Sequence, residues 1–330
     1  MIPSRRTLLA GIAATPVLGR FPARADTGTV RIAVQPGLTY LVLNIMQHRK
    51  LLEKHAPGTN AEYLRLAAGN NVNDAVISGA VEIGATGVPA FLLLWAKTRG
   101  SSNVMAIAPF NNMPLVLVTR NPALRSVADI GPNSRIALPG VGVSSQSIML
   151  RMEAARLYGD ADFKKFEDRE VNRGHPDAMA ALLSNTEIDC HFTAAPYLQR
   201  ELAVPGVHAI LSSVDVYGGP GTIGVMFATK KFRDANPKPV AAFIAAAEEA
   251  MEVIKTDPNG AAESYVAVSG DNATLKEIAA ILADPSTAFD IVPRGTMKVA
   301  EFMYRTGSIK TMPENWQALF VPELHGKTGG

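Results

Sequence analysis

A pattern that occurs twice limits what this chain can fold into. Short β-branched runs alternate with 3.6-period runs in the order strand, helix, strand, helix, strand. The first copy places strands at 30–34, 61–66 and 82–86. Its helices lie near 40–52 and from about Val72, where Val72, Ala75 and Val76 share one face. The second copy places strands at 135–138, Glu170–Asn172 and 188–192, with helices over Ser145–Tyr158 and 176–183. Gly159 stops the first of these helices, and Pro176 takes the favoured first position of the other. Ile32 to Ile83 spans 51 positions and Ile136 to Ile188 spans 52, so the architecture repeats although the residues differ. Such alternation implies parallel sheets with right-handed crossovers. The expected fold class is α/β, with two Rossmann-like lobes.

Two further apolar segments, 113–119 and 222–229, read as strands that carry the chain from one lobe to the other and back. After the second, helices are expected at 240–255, 261–268, 274–283, 297–307 and 314–320. Two crossings return this helical tail to the first lobe. The expected organisation is lobe 1 at 26–113 plus 226–330 and lobe 2 at 114–225, with a hinged cleft between them.

Residues 1–25 read as an export signal. They hold four arginines and no acids, an apolar run of about 11 residues against the ~20 needed to span a bilayer, and the small-residue site Ala23-Arg24-Ala25. Ser4-Arg5-Arg6-Thr7-Leu8-Leu9 is similar to the twin-arginine export motif. Cleavage is expected after Ala25, releasing a periplasmic protein. Losing the four arginines moves the formal charge from +2 to −2, so no basic field is available for nucleic acid. The single cysteine, Cys190, cannot form an internal disulfide and reads as a small buried hydrophobe.

In open parallel sheets, ligands bind beyond the carboxyl ends of the strands, where helix N-termini present unpaired N–H groups. The first lobe supplies Gln35 and Tyr40 after its first strand, Asn71 after its second and Gly87 after its third. In the second lobe, the glycine-rich turn 139–146 supplies Ser144, Ser145 and Gln146; later turns supply His175 and Phe192. Gly218 to Thr222 reads as hinge material before the return strand, and Thr222 is the last candidate. This set is polar but almost uncharged. Arg65 and Arg173 are the cations nearest to strand ends, and both read as solvated face residues. His48 and His55 lie seven apart, where a helix brings them to one side, yet they too read as exposed.

The order of several segments adds a resemblance. V-R-I-A-V-Q-P-G-L-T-Y, A-V-I-S-G-A-V-E-I-G-A-T-G-V-P, M-P-L-V-L-V-T-R-N-P, S-V-A-D-I-G-P-N-S-R-I-A-L-P-G-V-G-V-S-S-Q, H-P-D-A-M-A-A-L-L-S and F-A-T-K-K-F-R-D-A-N-P together resemble the solute-binding proteins of ABC importers. The nearest group is the taurine, alkanesulfonate and nitrate type, with the related thiamine-pyrimidine-synthesis-like proteins. The resemblance implies a two-lobe type II binding protein that closes on a small solute and delivers it to an ABC permease in the cytoplasmic membrane. It places ligand contacts on Gln35, Tyr40, Asn71, Gly87, Ser144, Ser145 and Thr222. A monomer without cofactor, metal or enzymatic activity is expected. The cysteine-rich segment of the fungal pyrimidine-synthesis enzymes is missing, and no acidic cluster suits a metal. An exported enzyme and a sensing module without a transporter are the alternatives. Gly140-Val141-Gly142-Val143-Ser144-Ser145 lacks the third glycine of the dinucleotide fingerprint, and no full G-x-x-x-x-G-K-[ST] phosphate loop, H-E-x-x-H or G-x-S-x-G occurs.

Overall fold

The computed structural model describes residues 28–285 and 287–330, so the expected export signal and its cleavage site lie outside the described residues. The chain opens with β1 (Thr29–Val34), α1 (Leu41–His48), α2 (Leu51–His55), β2 (Asn60–Arg65), α3 (Gly69–Ser78), β3 (Ile83–Gly87), α4 (Val88–Lys97) and β4 (Met105–Asn111). It continues with β5 (Val116–Thr119), β6 (Ile136–Leu138), α5 (Ser145–Tyr158), β7 (Glu170–Asn172), α6 (His175–Leu183), β8 (Cys190–Thr193), α7 (Tyr197–Leu202), β9 (His208–Ser212) and α8 (Ser213–Tyr217). The last part is β10 (Gly224–Ala228), α9 (Lys230–Ala235), α10 (Pro237–Thr256), α11 (Pro258–Ser269), α12 (Leu275–Leu282) and α13 (Thr296–Arg305).

The strands form two five-stranded sheets, in the orders β2-β1-β3-β10-β4 and β7-β6-β8-β5-β9. These are one topology used twice. In each, the first three positions are parallel. The fourth is an antiparallel strand that arrives from the other sheet, β10 in the first and β5 in the second. The second sheet is begun by the strand that leaves the first, and the first sheet receives its fourth strand only when the chain returns, which ties the two halves together. This is the two-lobe α/β fold that the repeat implies. The crossing itself is made by short connectors, 112–115 and 218–223, while 116–119 and 224–228 are full sheet members.

The register shows where the sequence pattern slipped. Ile32 pairs with Ile83, as the spacing suggests, but Ile136 pairs with Cys190 rather than with Ile188. Asn185 and Glu187 take positive φ angles of 55° and 62°, and this extra turn delays the strand by two residues. The helix expected over 40–52 is likewise two helices, broken where Lys50 adopts φ 51°. The last expected helix, 314–320, is a single 3₁₀ turn at Trp316–Leu319.

Cores follow from the layering. Ile32, Ile83, Val225 and Phe227 are fully buried in the first sheet, as are Ile136, Leu138 and Phe192 in the second. The C-terminal helices α10 and α11 pack on α1, while α10 also covers α2 and β4, and α13 packs on α4. Cys190 is a free, buried thiol, and burial pushes its pKa up to about 12. No helix among the described residues is long and apolar enough to cross a membrane.

Candidate ligand-binding site

Between the sheets lies a cavity of about 180 Å³, built from the loops that follow β1, β2, β3, β6, β7 and β8. Gln35, Tyr40, Gly87, Ser144, Ser145, Gln146 and His175 all line it. Asn71 lines an adjoining hollow of about 480 Å³ that shares Ala67, Ala68, Pro139, Gly140, Val143 and Gly174 with the first. Phe192 and Thr222 are not on either lining. Phe192 is wholly buried on β8 of the second sheet. Thr222 is spent on structure: its Oγ1 accepts from the Arg294 N–H at 3.0 Å and its own N–H donates to the Arg294 carbonyl at 2.9 Å.

The lining has no Arg, Lys, Asp or Glu among its residues. Arg65 donates to the Ser269 carbonyl, and Arg173 pairs with Glu187 at 2.5 Å, so both cations are held elsewhere. His48 meets Ser264 and His55 meets Glu249, at two separate places on the first lobe. What the cavity offers instead is backbone. The first residues or caps of four helices face it: Gly69 of α3, Gly87 before α4, Ser144 and Ser145 at α5, and Gly174 and His175 at α6. Helix starts carry unpaired N–H groups and roughly half a positive charge, although at α4 the Val88 N–H is taken by the Ile223 carbonyl and Pro89 and Pro176 have no N–H.

The glycine-rich turn is braced from below. Gly140 and Gly142 take φ of 69° and 79°, a region that favours glycine. Asn172 Oδ1 accepts from the Gly140 N–H at 2.9 Å, and Ser147 Oγ accepts from the Gly142 N–H at 2.8 Å. Ser147 Oγ in turn donates to Glu170 Oε2 at 2.5 Å. Burial pushes the Glu170 carboxyl up to about 7, against the opposing pull of Ser147 and of Arg151, whose Nε stands 3.9 Å away. Ser144 Oγ accepts from the Ser147 N–H at 3.2 Å, which caps α5. Across the cleft, a Cβ on Gly87 would meet Ser145 Oγ at 2.6 Å, so the two lobes approach closely here and a larger residue would have to displace that hydroxyl.

On the first-lobe side, Gln35 Nε2 lies 2.6 Å from the Tyr40 hydroxyl and 3.3 Å from both the Ala85 carbonyl and Thr86 Oγ1. The Tyr40 ring packs on Phe110 with centroids 5.1 Å apart, and burial raises its phenol pKa. Asn111 belongs to the site although sequence reasoning passed over it. Its Nδ2 donates to the Thr39 carbonyl at 3.1 Å, while its buried Oδ1 has no partner. Tyr197 is a second omission. Its ring stacks on His175, and its hydroxyl donates to Asp271 at 3.0 Å, on the far lobe. Arg200 joins the same Asp271 at 2.9 Å and Glu277 at 2.6 Å. Arg305–Asp160, at 2.5 Å, and the Phe163–Phe302 edge contact link the opposite flank, so the lobes are closed on each other.

The model of the NMT1-like family matches residues 23–269, about three-quarters of the chain. This chain belongs to the NMT1-like family. It is also similar to a putative aliphatic sulfonates-binding protein of Escherichia coli K12, at 26% identity over 197 residues. That match takes in 59% of this chain and 58% of the relative, so the chain spans less than two-thirds of the curated relative it matches. Among solved structures, it resembles the periplasmic aliphatic sulphonate binding protein SsuA of E. coli, with a TM-score of 0.69 at 19% identity, covering 92% of this chain and 94% of that one. It also resembles the alkanesulfonate-binding protein SsuA of Xanthomonas axonopodis pv. citri bound to MOPS, with a TM-score of 0.67 at 19% identity, covering 87% and 96%. Both carry the periplasmic binding protein fold, and this NMT1-like chain shares it.

Proposed function

We propose that this chain is the extracytoplasmic solute-binding component of an ABC importer, acting in the periplasm, and that its ligand is a small organic anion of the sulfonate type. The observation that carries this reading is the convergence of four helix N-termini on a cavity with no charged side chain. Oriented N–H groups favour an anion without needing a fixed counter-ion, and release it more readily than a buried salt bridge would. The apolar part of the lining, including Phe110, Leu115, Val143 and Ile223, suits a short organic tail. The sulfonate-binding relatives support the same ligand class. Gln35, Tyr40, Gly87, Ser144, Ser145, Gln146 and His175 are the proposed contacts, with Asn71 at the mouth.

Binding and transport then divide between geometry and partner. Contacts from both lobes to one ligand favour the closed state, and the closed surface is what a permease would recognise. A thermal-shift panel of sulfonates, nitrate, bicarbonate, aromatic acids and thiamine-type pyrimidines tests the ligand class. Ligand at ~100 times its dissociation constant should add about 2.7 kcal/mol to stability. Selective stabilisation by sulfonates is the expected result. A response to pyrimidines alone would overturn the anion reading, and loss of solute uptake on gene deletion would tie the protein to a permease.

A further inference from the structure

Beneath the cavity, half-buried His175 and fully buried His191 and Glu201 stand in series. His175, on the lining, has its Nδ1 2.9 Å from Nε2 of His191. His191 has its Nδ1 2.6 Å from Oε1 of Glu201. The side chains of His191 and Glu201 are completely buried, and Glu201 Oε2 has no partner. At the other end, Nε2 of His175 lies 3.5 Å from Nε2 of Gln146, itself a cavity residue. Among the described residues, no group of three or more His, Cys, Asp and Glu could hold a metal ion, and these three are strung out in a line.

The chemistry of such a chain has few options. Two imidazole nitrogens 2.9 Å apart share one proton, so one ring donates and the other accepts. With Glu201 ionised, His191 Nδ1–H donates to the carboxylate, His175 Nδ1–H donates to His191 Nε2, and His175 Nε2 presents a lone pair to the cavity. One added proton reverses every bond. The Glu201 hydroxyl, or an imidazolium within the same 2.6 Å pair, holds it. His191 Nε2–H then donates to His175 Nδ1, and His175 Nε2–H points outward as a donor.

We infer that Glu201, His191 and His175 form a one-proton relay that decides whether the floor of the cavity offers a ligand a hydrogen-bond donor or an acceptor. An anion therefore selects the protonated relay, and where the relay is ionised beforehand, binding takes up one proton from solvent. This makes Glu201 and His191 positioning residues that set the charge preference of the site through His175. For its ligand class the inference rests on the proposed function; the relay itself does not.

The surroundings allow this titration to be read. Burial pushes Glu201 up to about 8 and holds both histidines down at about 3, His175 also through its neighbour His191. Thr193 on β8 faces Glu201, while Cys190, adjacent in the strand to His191, projects to the other face and has its pKa pushed up to about 12. From α7, Tyr197 stacks on His175, with its phenol raised by burial and by Asp271; Arg200 lies over the Tyr197 ring and is neutralised by Asp271 and Glu277. From α6 and α5, exposed Asp177 and uncharged Gln146 complete the set.

Two measurements test the relay. Nitrogen-detected NMR of the ligand-free protein follows the tautomers of His175 and His191 between pH 6 and 10. Both rings should exchange tautomers together in one transition, and Glu201→Gln should abolish it; separate or absent transitions in the wild type overturn the relay. Calorimetry with ethanesulfonate, whose charge is fixed over this range, is run in buffers of different ionisation enthalpy. Affinity should hold below the transition, fall about tenfold per pH unit above it, and there be accompanied by uptake of one proton. Ethanesulfonate binding that is independent of pH and silent in protons overturns the coupling while leaving the anion site standing. Failure of ethanesulfonate to bind at any pH counts against the proposed ligand class, and the NMR result then decides the relay by itself.

Discussion

Glu170 holds the glycine-rich turn through Ser147, and its environment makes a quantitative demand on stability. Its side chain is fully buried, its Oε1 has no hydrogen-bond partner, and Arg151 stands too far away to donate. Burial lifts its pKa from the ordinary 4.5 to about 7. A carboxyl raised on folding binds its proton more tightly in the native state. The stability it contributes is therefore complete below about pH 4.5 and is lost as pH rises through about 7. At about 1.4 kcal/mol per unit, the shift corresponds to about 3 kcal/mol. Glu170→Gln keeps the volume and an acceptor for Ser147 while removing the titration. Urea unfolding of both proteins from pH 4.5 to 8.5 isolates this one group, because every other titration cancels in the difference. The wild type should lose about 3 kcal/mol relative to the variant across that range. A difference that stays constant with pH would refute the reasoning and make Glu170 an ion-pair partner of Arg151.

Further predictions concern closure and the turn. Gly87→Ala places a methyl 2.6 Å from Ser145 Oγ; Ser145 must rotate or the lobes part to relieve it, and either displaces a proposed contact, so anion affinity should fall by on the order of tenfold with the fold intact, as read by calorimetry alongside circular dichroism. Arg200→Ala removes the link to Asp271 and Glu277; because Arg200 is partly exposed, stability should change by less than about 1 kcal/mol, while small-angle scattering should show a more open ligand-free protein. An unchanged scattering profile would remove Arg200 from the closing mechanism. Ser144→Ala should cost about 1 kcal/mol of stability through loss of the cap. The double variant Ser144→Ala with Ser145→Ala should cost about 1–3 kcal/mol of binding if the hydroxyls meet the ligand.

The architecture was largely legible because it rests on period. Strands with alternating or β-branched runs and the amphipathic helices declare themselves, and Ser145–Tyr158 and Glu170–Asn172 have the bounds the sequence suggests. Elements buried on all sides gave no such signal. In α4, seven of ten residues are buried, so no polar face marks it as a helix. β4 is buried along nearly its whole length and contains Pro109, which the edge of a sheet tolerates. Missing β4 also hid Asn111 at its end. The strand-end rule found the main lining, because it depends only on topology. It included Phe192 and Thr222 because it cannot say which side chain of a strand end turns inward. The relay was invisible for another reason: α6, β8 and α7 bring together residues 10 and 16 positions apart. The available hint was a histidine, His191, between apolar Cys190 and Phe192 on a strand expected to be buried.

The central claim is that a cleft without charged side chains prefers an anion because helix N-termini converge on it. Calorimetric titration with ethanesulfonate and with its uncharged isostere ethyl methyl sulfone, at pH 7, tests this directly. The two differ little in shape, so any preference reports the charge. The account predicts that the sulfonate binds at least about tenfold more tightly, a difference of roughly 1.4 kcal/mol. Equal affinities, or a preference for the sulfone, would contradict it.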